Sequence, residues 1–373
     1  MKKRKDNIVF YVFIIAISFV MFIMIITSDV RNTSFNVANI NRNGLRNIFS
    51  INAYRDLEDM IPHLSLSIED GGYDIYVPSG KGYRYGPSII YYDDGSIDTW
   101  FASNGNNSTE WDYITYRHYD GENWSNERIV LRPTVNGKDH YSTCDPGVIY
   151  FGGYYYLGYT STENATKGGV ENCCYVARSK NPDGPYEKWN GNGWGGSPEP
   201  FIVYDENDLG WGAGEISFVV VNDKLYCYYT WIDGSDSSYT KLAITSLKED
   251  WPSTLNDKGI VITKTNGQGS FDFVYAPQQE KFLAVSIQGS FGANSEIAVY
   301  ESYDGINFNH IDTVDNVEKF AHNIGISKRE NGHVLNNDEL IIGYGYSKAN
   351  VSTWGRWACK FEKAKLKIIY FDN

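Results

Sequence analysis

The sequence predicts an all-β fold, a five-bladed β-propeller behind an N-terminal transmembrane helix, and three observations carry the propeller. A short buried-strand run recurs five times, at Pro87–Tyr91, Pro146–Tyr150, Ile216–Val220, Phe273–Pro277 and Ile324–Lys328, with starts 59, 70, 57 and 51 residues apart. Each run is followed, after a polar turn, by a second strand rich in aromatic or β-branched residues and then by a third. No helical periodicity interrupts the pattern. All-strand repeats of this length read as four-stranded blades packed around a central axis. A β-sandwich with coincidental spacing is the competing reading, and the fivefold return of one register argues against it.

The second strands are Asp98–Ser103, Tyr154–Tyr159, Lys224–Tyr229, Lys281–Ser286 and Glu339–Tyr344. Turns at Asp93-Asp94-Gly95, Gly152-Gly153, Asn222-Asp223 and Gln279-Glu280, and a longer excursion over 331–338, join them to the first strands as hairpins. Third strands follow at Tyr113–Arg117, Cys174–Arg178, Lys241–Thr245, Glu296–Tyr300 and Arg356–Lys360, three of them running into Asp-Gly turns at Asp120, Asp183 and Asp304. Fourth strands are weaker, with Arg128–Leu131, Gly259–Thr263 and Leu366–Phe371 as the visible ones.

Ahead of the repeats, residues 8–26 form a 19-residue apolar run in which only Ser18 is plainly polar, preceded by Lys2, Lys3, Arg4 and Lys5. That length spans a hydrocarbon core, and the basic flank keeps the N-terminus cytoplasmic. A cleaved signal peptide has a shorter apolar region and a small-residue cleavage site, which Ile26-Thr27-Ser28-Asp29-Val30 does not offer. The expected organisation is a cytoplasmic tail over 1–7, a signal anchor over 8–26, a stem over 27–70 with one short helix over 54–60, and an extracytoplasmic propeller over 71–373.

Composition narrows the partners. The formal charge is -13, and without the basic flank at 2–5 and Asp6 the remainder carries 29 basic against 45 acidic groups. Nucleic acid is excluded as a partner, since binding it requires basic patches that neutralise phosphates. The 30 Tyr and 10 Trp suit sugar rings, having a flat apolar face and a hydrogen-bonding tip. Strands favour these residues anyway, so only loop tryptophans such as Trp111, Trp194, Trp211 and Trp354 are informative. Five scattered Cys make no disulfide framework and no metal-ligand spacing; they read as buried packing, with one disulfide open to them.

In a propeller the first strand of each blade lines the axis, so residues just before the five runs converge on one opening. Those positions hold Arg84-Tyr85-Gly86, Asp145, Glu215, Asp272 and His322-Asn323. Carboxylates held together repel, which raises at least one pKa and keeps a proton available. Glycoside hydrolysis needs such a pair, one protonated acid for the leaving oxygen and one ionised group. Each residue also has a plain structural reading, Asp145 as a turn residue before Pro146 and Asp272 as a partner of the turn at Gly269-Ser270; their joint recurrence favours a site.

The segments Ser142-Thr-Cys-Asp145-Pro146-Gly-Val-Ile and Gly212-Ala-Gly-Glu215-Ile-Ser-Phe, each followed by an aromatic second strand, resemble the family 43 arabinanases and β-xylosidases, with invertases and levansucrases as more distant kin. The resemblance covers roughly residues 80–370. It implies a carbohydrate substrate, Glu215 as general acid, and Asp145 as one of two aspartates acting as base or pKa modulator. Family 43 enzymes invert, which implies acid and base carboxyls about 6.5–9.5 Å apart. The resemblance fails at one point: the family's base Asp before Pro in the first blade is Gly86 here. Asp145, Asp272 or Asp112 then supplies the base, or the chain binds glycans without cutting them. His322 resembles a central-channel histidine that in some relatives neighbours calcium or water, so no cofactor is required and calcium is the one to test. Arg84, Tyr85, Trp111, Asp112, Trp211 and His322 are the expected substrate contacts. A purely structural or protein-binding propeller is the third class, expected if loops over 331–338 or 191–200 block the axis.

Overall fold

The structure, a computed structural model, describes residues 61–78, 82–104, 112–163, 169–206, 208–348 and 355–370. The expected anchor over 8–26, the short helix over 54–60 and Trp111 lie outside the described residues, among which no helix is long and apolar enough to cross a membrane.

The described chain opens on β1 (His63–Tyr76), an outermost strand whose partners come last in sequence. The first blade is β2 (Arg84–Tyr91), β3 (Ile97–Ser103), β4 (Tyr113–Tyr119) and β5 (Arg128–Leu131). The second is β6 (Cys144–Phe151), β7 (Tyr154–Ser161), β8 (Cys173–Ser179) and β9 (Glu187–Lys188), and the third is β10 (Gly212–Val221), β11 (Lys224–Ile232), β12 (Ser238–Ser246) and β13 (Asn256–Thr263). The fourth is β14 (Phe271–Ala276), β15 (Lys281–Gln288), β16 (Glu296–Ser302) and β17 (Asn309–Val314). The fifth is β18 (His322–Ile326), β19 (Leu340–Tyr346), β20 (Ala358–Ile369) and, closing it, β1. The five blades and their first strands are those the repeat predicts. The fifth blade corrects one detail: Leu366–Ile369 belongs to the third strand, which runs unbroken from Ala358, and the fourth strand begins at His63, ahead of the domain start expected at 71.

The first four blades are meanders in which short hairpins suffice, and pairing within every blade is antiparallel, including that of β1 with β20. The inner strands approach one another backbone to backbone. A Cβ on Gly147 would meet the Ile216 carbonyl at 2.0 Å, and one on Gly325 would meet the Pro87 carbonyl at 1.8 Å, so both positions admit only glycine. Between blades the core is aromatic: Tyr228 stacks on Phe273 with centroids 3.7 Å apart, joining the third blade to the fourth, and Phe151, Tyr156, Phe218 and Trp251 pack between the second and third. All five cysteines are free, four of them buried, so the sulfurs serve packing and no disulfide forms.

β1 is fastened at its start by a buried ionic cluster. Lys281 Nζ donates to both Glu301 oxygens at 2.8 and 2.9 Å and to the Pro62 carbonyl at 2.6 Å. Glu301 also accepts from His63 Nδ1 at 2.7 Å and from the Leu64 amide at 2.9 Å. The register puts His63 opposite Ile369, at the end of the fifth blade away from His322.

Candidate active site

Four of the five inner strands carry the same irregularity. Their pairing slips between Tyr85 and Ser88, Cys144 and Gly147, Gly214 and Ser217, and His322 and Gly325. At each slip one residue adopts left-handed backbone: Gly86 at φ 56°, Asp145 at 48°, Glu215 at 51° and Asn323 at 45°. Such bulges re-aim a side chain, here toward the mouth of the axis. Non-glycine residues resist this conformation by about 1–2 kcal/mol, strain of the kind held at functional sites.

β14 breaks the pattern, pairing with β15 without a slip. Asp272 therefore does not share the position of Asp145 and Glu215, contrary to the alignment of the repeats. Its Oδ1 accepts from Lys328 Nζ at 2.5 Å and Ser217 Oγ at 2.6 Å, and its Oδ2 accepts from the Ile326 amide at 2.9 Å. Both members of the Asp272–Lys328 pair are buried, and together they tie β10, β14 and the end of β18 around the axis. With Ser88, Asp145, Glu215, Ser270 and Asn323, Asp272 lines an axial chamber of about 30 Å³, water-sized and beneath the mouth.

Above it opens a cleft of about 620 Å³ whose walls include Tyr85, Asp112, Asp145, Trp211, Glu215, Lys264, Phe291 and Asn323. Asp112 is buried and accepts from the hydroxyls of Tyr83 and of Tyr85, the latter at 2.8 Å; burial pushes its carboxyl up to about 6. Asp145 is buried beside it. Burial first, then the charges of Glu215 and Asp112, push the Asp145 carboxyl above the usual carboxylate range. Thr160 bridges the pair: its oxygen accepts the Glu215 amide at 2.8 Å and its hydroxyl serves Asp145. Glu215 Oε1 accepts from Asn323 Nδ2 at 2.8 Å, and Lys264 Nζ lies 3.8 Å from Oε2.

Of the expected contacts, Tyr85, Asp112 and Trp211 line the cleft, together with Asp145 and Glu215. Arg84 does not: its guanidinium is buried in a two-pronged pair with Glu127 at 2.5 and 2.6 Å and lies over the Tyr76 ring. His322 is also withdrawn. It is fully buried against Phe291 and Trp357, with ring centroids 4.4 and 4.2 Å away. Burial lowers it to about 4, so it is neutral, and its Nδ1–H donates to Asn323 Oδ1 at 2.8 Å, which turns the Asn323 amide toward Glu215. Among the described residues no group of three His, Cys, Asp or Glu could hold a metal ion, and His322 stands alone in this respect. Sequence reasoning missed Lys264 and Phe291. Lys264 follows the outer strand β13 and reaches inward, and Phe291 sits at φ 57°, presenting its ring to the cleft over His322. Neither has a local signal, because one is a lone Lys after an apolar strand and the other a lone Phe in a Gly-Ser loop.

Gly86 is the vacant member of the ring. A Cβ built there would stand 3.8 Å from Asp145 Oδ1 and 3.7 Å from Asn323 Cβ, in ordinary contact, at the wall of the axial chamber.

No protein-family model and no curated protein matches the sequence. Solved structures do match in fold. A family 117 glycoside hydrolase from the marine bacterium Zobellia galactanivorans superposes with a TM-score of 0.59 at 16% identity, over 83% of this chain and 91% of that one. The α-L-arabinofuranosidase of Podospora anserina, in complex with cellotriose, gives 0.55 at 11% identity over 79% and 95%. A thermostable family-43 glycoside hydrolase gives 0.53 at 12% identity over 81% and 94%. The five-bladed architecture expected from the resemblance is thus the one shared with glycoside hydrolases, at low identity.

Proposed function

We propose that the chain is a glycoside hydrolase, anchored in a membrane by residues 8–26 with its propeller outside the cytoplasm, and that Asp145 and Glu215 are its acid and base. One observation carries the reading: two carboxyl groups from successive blades, on identical strained bulges, share an aromatic-walled cleft and, between them, a proton. A glycosidic oxygen needs that proton as it leaves, and the ionised partner takes one from the attacking water. Trp211 and Phe291 offer ring faces for a sugar. The low-identity neighbours support a poly- or oligosaccharide substrate, two of them having been solved with cellotriose or xylotriose bound. Profiling on arabinan, xylan, fructan and galactan tests the reading, and a folded protein that releases no sugar from any of them counts against hydrolysis. The anchor is tested by fractionation: the protein is expected to stay with the membranes through a carbonate wash, and release would overturn it.

A non-catalytic glycan-binding propeller is the second reading, and Gly86 favours it. Gly86→Asp tests whether that position has cost the site a base. The bulge already holds Asp145 and Glu215 in the same backbone conformation, and Asp tolerates it better than most residues. If Gly86 has cost the site its hydrolytic base, sugar release appears or rises at least about tenfold in Gly86→Asp, general-base catalysis being worth 10²–10⁴ at its best; with Asp145 and Glu215 as a complete pair it does not. An unchanged or lower rate in the folded variant would show that position 86 lacks nothing.

A further inference from the structure

Between the fifth blade and the first, at the Tyr91 end of β2 and away from Gly86, lies a groove of about 440 Å³ that shares no lining residue with the cleft. Tyr73, Tyr91, Tyr119 and Phe361 supply its aromatic wall. An irregularity in β1 builds it. Between Glu69, opposite Lys363, and Tyr73, opposite Phe361, three residues of β1 face one of β20. Asp70-Gly71-Gly72 takes up the extra length, with Gly71 at φ 103° and Gly72 so near β20 that a Cβ there would lie 1.7 Å from Glu362 Oε2. Such a bulge re-aims the residue that follows it. Tyr73 emerges 41% exposed and yet fixed: its ring packs edge-on against Phe361 with centroids 6.1 Å apart, and its hydroxyl accepts from Trp124 Nε1 at 3.3 Å. Trp124 in turn packs against Tyr119 at 5.2 Å and Phe361 at 6.0 Å, which joins the two blades in one aromatic platform.

We propose that this groove is a second, non-catalytic glycan site, which holds a neutral stretch of the same polysaccharide that enters the cleft. The proposal rests on the carbohydrate reading and extends it to a separate surface. A sugar ring has an apolar C–H face and a hydroxyl edge, and the groove presents the complement of both. Around the tyrosines stand Asp70, Glu339 and Lys363, whose side chains have no hydrogen-bond or ion-pair partner among the described residues. Glu69 and Lys365, also on the rim, neutralise each other at 3.1 Å. An apolar occupant would cover the three free polar groups without partners, and an anionic one would face two free carboxylates. A neutral polyhydroxylated chain does neither. Because the rings are already held by one another, little ordering opposes binding.

A polymer bound at the cleft meets the groove as an intramolecular partner, so its apparent affinity rises without any new contact in the cleft. An oligosaccharide too short to bridge the two gains nothing. Native gel electrophoresis of the full chain in detergent, with arabinan, xylan, galactan or fructan cast into the gel, reads the site directly, and Glu215→Gln keeps the polymers intact. That chain is expected to be retarded by at least one of the four. Adding Tyr73→Ala should raise the dissociation constant for that polymer about 3- to 10-fold, as loss of one aromatic face does. Tyr73→Phe keeps the ring and should bind as before. Tyr119→Ala, from the neighbouring blade, should weaken binding like Tyr73→Ala, and it serves should that variant not fold. With Glu215 restored, Tyr73→Ala should raise KM on the polymer while kcat/KM on a trisaccharide stays within about twofold. No retardation by any of the four polymers, or retardation unmoved by both Tyr73→Ala and Tyr119→Ala, overturns the proposal. Retardation that falls in these variants while the wild type cleaves none of the polymers sinks the glycosidase reading and leaves the groove standing; cleavage with retardation unmoved does the reverse.

Discussion

Asp145→Asn is expected to lower kcat for the proposed glycan hydrolysis by about 10³-fold or more, and Glu215→Gln by a similar factor, because each removes one half of a proton exchange worth 10²–10⁴. The two amides keep the size of the carboxyls, so oligosaccharide affinity measured by calorimetry should stay within about threefold, the mark of groups that act in the transition state rather than in binding. The double variant should be no slower than the worse single one, since members of one catalytic unit are not additive. A single variant that keeps more than a tenth of the wild-type rate would remove that residue from the chemistry. Because burial and two neighbouring carboxyls raise the Asp145 carboxyl, wild-type activity should fall on the alkaline side as the pair loses its shared proton.

Lys328→Met is expected to have its large effect on folding instead. It leaves the Asp272 carboxylate buried with amide and hydroxyl donors but no counter-charge, a change that costs about 3–5 kcal/mol in comparable buried pairs. Denaturant melts would show this as a lower midpoint with an unchanged slope. Replacing both partners, as Asp272→Leu with Lys328→Met, should recover much of the loss, because an apolar pair has no charge to strand. Asp272→Asn keeps the geometry and should retain a kcat near wild type. A collapse of kcat in a well-folded Asp272→Asn would return Asp272 to the catalytic set.

The contrast between Asp145 and Asp272 shows where the sequence stops being legible. Both precede a first-strand run, and in the sequence they occupy equivalent places. Whether the side chain reaches the cleft depends on a bulge that shifts the register, and a one-residue slip turns a side chain to the other face. Nothing in Ser270-Phe271-Asp272-Phe273 reveals that β14 pairs straight. The blades themselves were legible because each is a local meander whose strands and turns recur in order. β1 was not, since its partner lies at the other end of the chain and its own residues, with Gly71-Gly72 interrupting the alternation, look like part of a stem. Gly86 was legible as a missing carboxylate; that the position also demands left-handed backbone, which glycine adopts freely, needed the structure. Lys264 and Lys328 gave no sign, because a buried lysine is marked only by the acid that the fold brings to it.

The ionic fastening of β1 has a mechanical side. Any pull transmitted along the chain from before residue 61 arrives first at His63, the end of β1 that pairs with Ile369, and would peel the strand from β20 one hydrogen bond at a time. Peeling is the weak direction for a sheet, and the first bond to be loaded is backed by Glu301 and Lys281 of the neighbouring blade, which grip Pro62, His63 and Leu64 together. Load is thereby shared between two blades before any strand parts, at the end of the propeller opposite the cleft. Tension arriving at His63 therefore loads that end of the propeller before it reaches the mouth of the cleft.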